Sequence, residues 1–312
     1  MIPQCYKPLL AINQDKVKTQ PVVRYCSEKL DGVRMSVFGG VGYSRTLKPI
    51  PNKQIQEYCK TYAEELEGFD GEVILGDLYA VDVLQKSTGF VMSEDKVSDY
   101  WTYYVFDKYD PDAAWLDRFI DIDVVGLEDH VKKLEHYYVR DGSKIPEELY
   151  GYSGQMPWVD LDWFEQQVLA RGGEGVMIRD ALGKYKHGRS GTRNPELQKV
   201  KRFEDMEALV VGYTQFETNQ NELQRDERGY AKRSTAKDGK VLVEQLGSLV
   251  CALPDGRTFN VGSGFTLEQR KELWYTRDQL AGKLAKVQYF GYSPDRIPLL
   301  PVFLAFRAEI DV

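Results

Sequence analysis

The chain has 312 residues, 42% apolar and 29% charged, with a net charge of −7. That length suits one large or two ordinary domains of a soluble globular protein, and no window approaches the apolar length of a membrane span. The start, MIPQCYKPLLAINQDK, lacks the basic-then-apolar pattern of a secretion signal, so a cytoplasmic or nucleocytoplasmic protein with no membrane partner is expected. Cys5, Cys26, Cys59 and Cys251 are scattered without a CxxC pair and only three histidines accompany them, so neither a zinc site nor a disulfide framework is suggested. Free, mostly buried thiols are expected.

In chain order, VVRYCS, GVRMSVF, GEVIL, YYVFD and GVMIR read as strands. Between them QIQEYCKTYAEELEG and WFEQQVLARGG read as helices closing at Gly68 and Gly172. Beyond about residue 205 the pattern shifts to the short strands ALVVGY, LGSLVCAL, TFNV and LAKVQYF, with turn residues at Pro254, Asp255 and Gly256. One helix interrupts them, TLEQRKELWYTRDQLAG, opened by a capping box of Thr266 and Gln269. The expectation is an α+β fold, with a mixed domain over residues 1–204 followed by a small OB-fold β-barrel over 205–312. Residues 216–240 form a long polar stretch, expected to be mobile.

The stretch SEKLDGVRM holds Lys29, Asp31, Gly32 and Arg34 together. A lysine amine is a nucleophile only when unprotonated, and bringing its pKa from about 10.4 to near 7 takes roughly 5 kcal/mol of bias against the ammonium. Nearby cations or a bound metal could supply that bias: Arg34 lies five positions on, and Lys199 with Lys201 of LQKVKR would put two ammonium groups on one strand face, where they would also neutralise a triphosphate. Asp70 and Glu72 in FDGEVIL alternate onto one face and suit Mg²⁺ or a ribose hydroxyl, and Glu174 opens a strand after two glycines. Phe106, opposite in facing to Val105, could present its ring to a base. Two basic runs, Lys184 to Arg202 and RDERGYAKRSTAKDGK, suit a phosphate-rich partner despite the acidic total.

In order, KLDGVR, SRT, DGE, YYVFD, EGVMIR and LQKVK resemble the motif series of the covalent nucleotidyltransferases, and the whole chain resembles the ATP-dependent DNA ligases among them. The resemblance implies an ATP-grasp-like nucleotidyltransferase (adenylation) domain followed by the OB domain, with residues 216–240 as a latch that closes on duplex DNA. It implies ATP as cofactor, AMP carried on Lys29, Mg²⁺ or Mn²⁺, and nicked duplex DNA sealed by a monomer with no obligate protein partner. Lys29, Lys199, Lys201, Arg34 and Asp31 correspond to the catalytic set. Glu28, Lys29, Arg34, Glu72, Phe106, Lys199, Lys201 and Arg307 correspond to nucleotide contacts, and Asp70 and Glu174 to metal contacts. Arg45, Lys48, Arg189, Lys232, Arg233 and Lys237 correspond to DNA contacts. Two departures stand out: Leu299 occupies the place of an arginine that orients pyrophosphate, implying weaker self-adenylylation unless Arg296 substitutes, and Leu47 replaces a phenylalanine that meets the minor groove. An RNA ligase or GTP-using capping enzyme would share Lys29, Glu72 and the paired lysines, and a noncatalytic clamp on nicked duplex would share the basic runs.

Overall fold

Along Trp101–Lys108 buried and half-buried residues alternate at every position, which is the pattern of a strand packed on one face and open on the other. That strand belongs to a computed structural model that describes residues 2–127, 129–140, 157–200, 203–226, 231–293 and 295–307. The chain separates into two compact units, residues 1–201 and 202–312.

The first unit holds two sheets. One contains β1 (Ile12–Asn13), β2 (Arg24–Glu28), β8 (Tyr137–Val139), β9 (Trp158–Val159), β10 (Val176–Asp180) and β11 (Leu197–Val200), in the order β1-β11-β10-β2-β8-β9. The other contains β3 (Val33–Phe38), β4 (Val41–Ser44), β5 (Phe69–Leu75), β6 (Trp101–Lys108) and β7 (Val131–Lys133), in the order β4-β3-β5-β6-β7. β2 and β3 are joined by Lys29–Gly32, so the chain passes from one sheet to the other across the KLDG segment. Glycine is required there: a Cβ on Gly32 would lie 2.4 Å from Ile74 Cδ1 and 2.5 Å from the Val73 carbonyl oxygen.

Helices α1 (Lys53–Thr61), α2 (Val83–Val91), α3 (Trp115–Ile120) and α4 (Leu161–Ala170) pack on this frame. Asn52 caps α1 by accepting from the Ile55 amide and donates to the carbonyls of Phe90, Ser93 and Lys96, which ties α1 to the end of α2. A core that includes Tyr25, Val37, Val73, Trp101, Val105 and Trp115 is sealed from solvent, each large side chain contributing about 1.5–3 kcal/mol. α1 ends at Thr61, short of the expected Gly68, and the chain reaches Gly68 through turns.

In the second unit β12 (Glu204–Asn219), β15 (Lys240–Ala252), β16 (Thr258–Val261), β17 (Leu284–Tyr289) and β18 (Val302–Phe306) form a sheet in the order β16-β15-β12-β17-β18. A parallel bridge between Ser263 and Val302 links its edges, and a Cβ on Gly264, at φ +95, would come within 2.1 Å of the Phe303 carbonyl oxygen. Ala208, Val210, Leu246, Leu249, Val261, Val287 and Phe303 are among the residues of its core. α5 (Leu267–Tyr275) opens with both halves of the expected capping box but stops at Tyr275, before the expected end at Gly282. β12 and β15 continue past this core as a long ladder down to Asn219 opposite Lys240, and β13 (Leu223–Arg225) pairs with β14 (Ala231–Arg233) beyond it. Within residues 216–240, strand covers 216–219, 223–225, 231–233 and 240, about half of the described residues, and residues 227–230 lie outside the described residues.

Candidate active site

Three adjacent strands of the first sheet deliver one set of groups. Val176 lies opposite Glu28, and Met177 opposite Lys199, so β2, β10 and β11 bring Lys29, Glu174 and Lys199 to one region. The Lys29 amide donates to the Gly175 carbonyl at 2.8 Å, which fixes the lysine beside the start of β10. The second sheet delivers the rest: Arg34 on β3 lies opposite Glu72 on β5, and Phe106 comes from β6. Between β5 and β6 the register steps from Asp70 opposite Asp107 to Gly71 opposite Val105, leaving Phe106 as the extra, outward-turned residue of a bulge. A cavity of about 530 Å³ results, lined among others by Glu28, Lys29, Arg34, Arg45, Glu72, Phe106, Arg189 and Lys199.

Lys29 forms an ion pair with Glu174; their side chains are only 21% and 10% exposed. The Lys29 ammonium is held below its ordinary pKa chiefly by burial, with Arg45 adding to the effect while Glu72 and Asp31 oppose it. The expected role of neighbouring cations is thus corrected: burial leads, and the Arg34 charge is engaged elsewhere. Lys199 is also lowered, by burial first and then by Lys29, Arg189, Arg45 and Lys16, so Lys29 and Lys199 feel one another across the cavity. Burial pushes the Glu72 carboxyl up to about 7, against the pull of Lys29 and Arg34.

Arg34 donates through Nε to Asp70 at 2.8 Å, through Nη2 to the same carboxylate, and through Nη1 to the Leu9 carbonyl at 2.6 Å. Asp70 also accepts from Ser36 Oγ at 3.2 Å and the Tyr185 hydroxyl at 3.1 Å, and its side chain is 1% exposed. Expected as a metal contact, it instead has both oxygens taken by protein donors. The Glu28 carboxylate accepts from the Tyr79 hydroxyl at 2.9 and 3.0 Å and from Arg171. Asp31 lies in the β2–β3 turn, half-buried, where its charge reaches Lys29.

The SRT loop turns tightly, the Leu47 amide donating to the Ser44 carbonyl at 2.8 Å, and leaves Arg45 and Lys48 exposed. Leu47 itself, at φ +63, is 7% exposed and packs with Tyr6, Leu9, Phe38, Tyr185 and Leu197. The minor-groove contact expected at this position is therefore not offered by its side chain. Arg189 is exposed and donates to the Ala11 carbonyl at 2.8 Å. Lys201 lies outside the described residues.

Lys232, Arg233 and Lys237 are exposed in the second unit, where Arg233 also donates to the Asn221 carbonyl. Arg307 belongs to that unit as well and pairs with Glu207. Leu299 is exposed there, and Arg296, at φ +56, is exposed on a hairpin in which the Phe290 amide donates to the Leu299 carbonyl at 2.9 Å. Thr88 on α2 and Arg179 on β10 are among the cavity residues that the motifs did not single out. Strand alternation from Met177 was the available signal for Arg179.

An amine of lowered pKa, a carboxylate in contact with it, a second cation and an aromatic ring meet beside one cavity of the first unit, an arrangement that suits group transfer. A family model described as ATP dependent DNA ligase domain matches residues 3–201, and one described as DNA ligase OB-like domain matches residues 239–307. The chain belongs to the ATP-dependent DNA ligase family. A DNA ligase of African swine fever virus (isolate Pig/Kenya/KEN-50/1950) is 30% identical over 156 residues, which is 47% of this chain but only 32% of that protein's length. The chain thus matches about a third of the length of that curated relative. A solved structure from work on DNA binding by the minimal Lig E DNA ligases shares the fold, with a TM-score of 0.67 at 19% identity over 98% of this chain and 100% of that one. A Chlorella virus DNA ligase-adenylate structure is 28% identical with a TM-score of 0.49, covering 96% and 99% of the two chains.

Proposed function

We propose that this protein seals 5′-phosphate/3′-hydroxyl nicks in duplex DNA with ATP, residues 1–204 acting as the adenylation domain and residues 205–312 as an OB domain carrying a DNA latch at about 216–240. The observation that carries the reading is the half-buried Lys29 with a lowered pKa, facing Glu174 and coupled to Lys199 at one cavity wall. The unprotonated amine forms an N–P bond to the α-phosphorus of ATP, the bond to the pyrophosphate oxygen breaks, and pyrophosphate leaves. Lys199 and Lys201 compensate charge on the phosphate oxygens, Phe106 stacks on the base, and Glu28, Glu72 and Arg34 orient the nucleotide. AMP then passes from Lys29 to the nick 5′-phosphate, and the 3′-hydroxyl attacks that phosphate and expels AMP.

Glu174, the carboxylate paired with Lys29, would suit Mg²⁺ or Mn²⁺, since magnesium often takes only one or two protein carboxylates. Such an ion supplies charge neutralisation at the phosphates. Asp70 is better assigned to anchoring Arg34. Arg45, Lys48, Arg189, Lys232, Arg233 and Lys237 would meet phosphates rather than bases, as suits an enzyme indifferent to sequence.

The test is sealing of a singly nicked duplex with ATP and Mg²⁺, run beside a nick already carrying 5′-adenylate. Sealing of both is expected, the first more slowly because Leu299 stands in place of an arginine. Failure on both substrates would refute the proposal.

A further inference from the structure

The wall behind Phe106 contains more positive than negative charge. Asp107 is buried and accepts from Arg118 Nε at 2.9 Å and Nη2 at 3.3 Å, and from Arg179 Nη1 at 2.7 Å. Two guanidinium groups therefore share one carboxylate. They are not equivalent: Arg118 also donates to the carbonyls of Ala113 at 2.6 Å and Gly183 at 3.4 Å, so four of its five N–H donors are engaged. Among the described residues the Arg179 side chain makes a single hydrogen bond, although it is 4% exposed and lines the cavity. A guanidinium carries five N–H donors, and those that Asp107 does not engage are open to an acceptor in the cavity. Its charge lies 5.3 Å from the centroid of the Phe106 ring and 5.6 Å from that of Trp115, within range of a cation–π attraction.

We infer that Arg179 is a positioning residue of the base site, fixing the Phe106 ring for stacking and setting nucleotide affinity, its unmatched donors facing the acceptor atoms of the bound nucleotide. This rests on the ligase reading above. Its removal need not break the fold, because Asp107 would keep Arg118 as a one-to-one partner, whereas loss of Arg118 would release two backbone carbonyls as well.

The experiment measures formation of the labelled lysyl–AMP adduct over a range of ATP concentrations for the wild type, Arg179→Met and Arg179→Lys, with Phe106→Ala and the Phe106→Ala/Arg179→Met pair completing a cycle. Arg179→Met is expected to raise KM for ATP roughly tenfold, the scale of one stacking or cation–π contact, with kcat within about twofold. Arg179→Lys, which keeps the charge but not the fork, should raise KM less. Without the Phe106 ring the Arg179→Met effect should shrink to below about threefold. A wild-type KM in both Arg179 variants, a loss confined to kcat, or an undiminished effect in the Phe106→Ala background overturns the inference. If Arg179→Met does not fold, as judged by circular dichroism, the KM of Arg179→Lys decides alone. An adduct in the wild type with unchanged KM in the variants refutes only the role of Arg179, whereas no adduct in the wild type refutes the ligase reading and this inference with it.

Discussion

Asp70→Asn keeps the side-chain shape but removes the charge that balances Arg34, whose side chain is 12% exposed. Two charge-assisted bonds from the guanidinium, one from Ser36 and one from Tyr185 all end on this carboxylate. Removing one partner of a buried ion pair costs about 3–5 kcal/mol, because the remaining charge stays desolvated. At roughly 2–4 °C per kcal/mol for a unit of this size, the melting temperature should fall by roughly 10 °C. Urea and thermal unfolding of the intact chain measure this directly, beside a Mg²⁺ titration of nick sealing. An unfolding loss below about 1 kcal/mol, with a rise in the Mg²⁺ needed for half-maximal sealing, would refute the anchoring role and restore Asp70 as a metal contact.

Glu72 provides a pH test: its folded pKa of about 7 lies above the ordinary 4.5, so the fold prefers the protonated form. Its stabilising contribution is full below about pH 4.5 and lost as pH rises through 7, so Glu72→Gln should gain up to about 3 kcal/mol over the wild type at pH 8 relative to pH 4; denaturation at both pH values checks this, and an equal difference at the two would contradict it. Gly32→Ala places a methyl group against the Val73 backbone, and a loss of about 2–4 kcal/mol in thermal unfolding is expected, whereas an unchanged melting temperature would show that the KLDG turn can yield. Arg45 lowers the Lys29 pKa, so Arg45→Gln should move the rising limb of adduct rate against pH to higher pH, and Asp31→Asn should move it lower; shifts of the opposite sign would place the titrating group elsewhere.

Strands were legible where one face is buried, since alternation along residues 101–108 reports a local rule. The capping box at Thr266 was equally local, and it formed. α2 was not legible: Ser87, Thr88 and Gly89 are weak helix formers, and what holds the helix is burial of Val83, Ser87, Phe90 and Val91. The same distinction divides the candidate site. Lys29, Glu174 and Lys199 could be named from their motifs, but their meeting depends on the order of β2, β10 and β11. Asp70 looked like an open oxygen ligand because its partners Ser36, Tyr185 and Arg34 are brought to it by tertiary structure. Leu47, at φ +63, packs into the core, and that placement depends on tertiary neighbours that its motif does not show.

The central claim is that the Lys29 amine is the group that takes up AMP. Incubation with ATP labelled at the α-phosphate, followed by proteolysis and mass spectrometry of the labelled peptide, tests it most directly. The expected result is an acid-labile, alkali-stable adduct on the peptide that contains Lys29, lost in Lys29→Ala together with nick sealing by ATP. Label on another residue, or nick sealing by ATP intact in Lys29→Ala, would contradict the account.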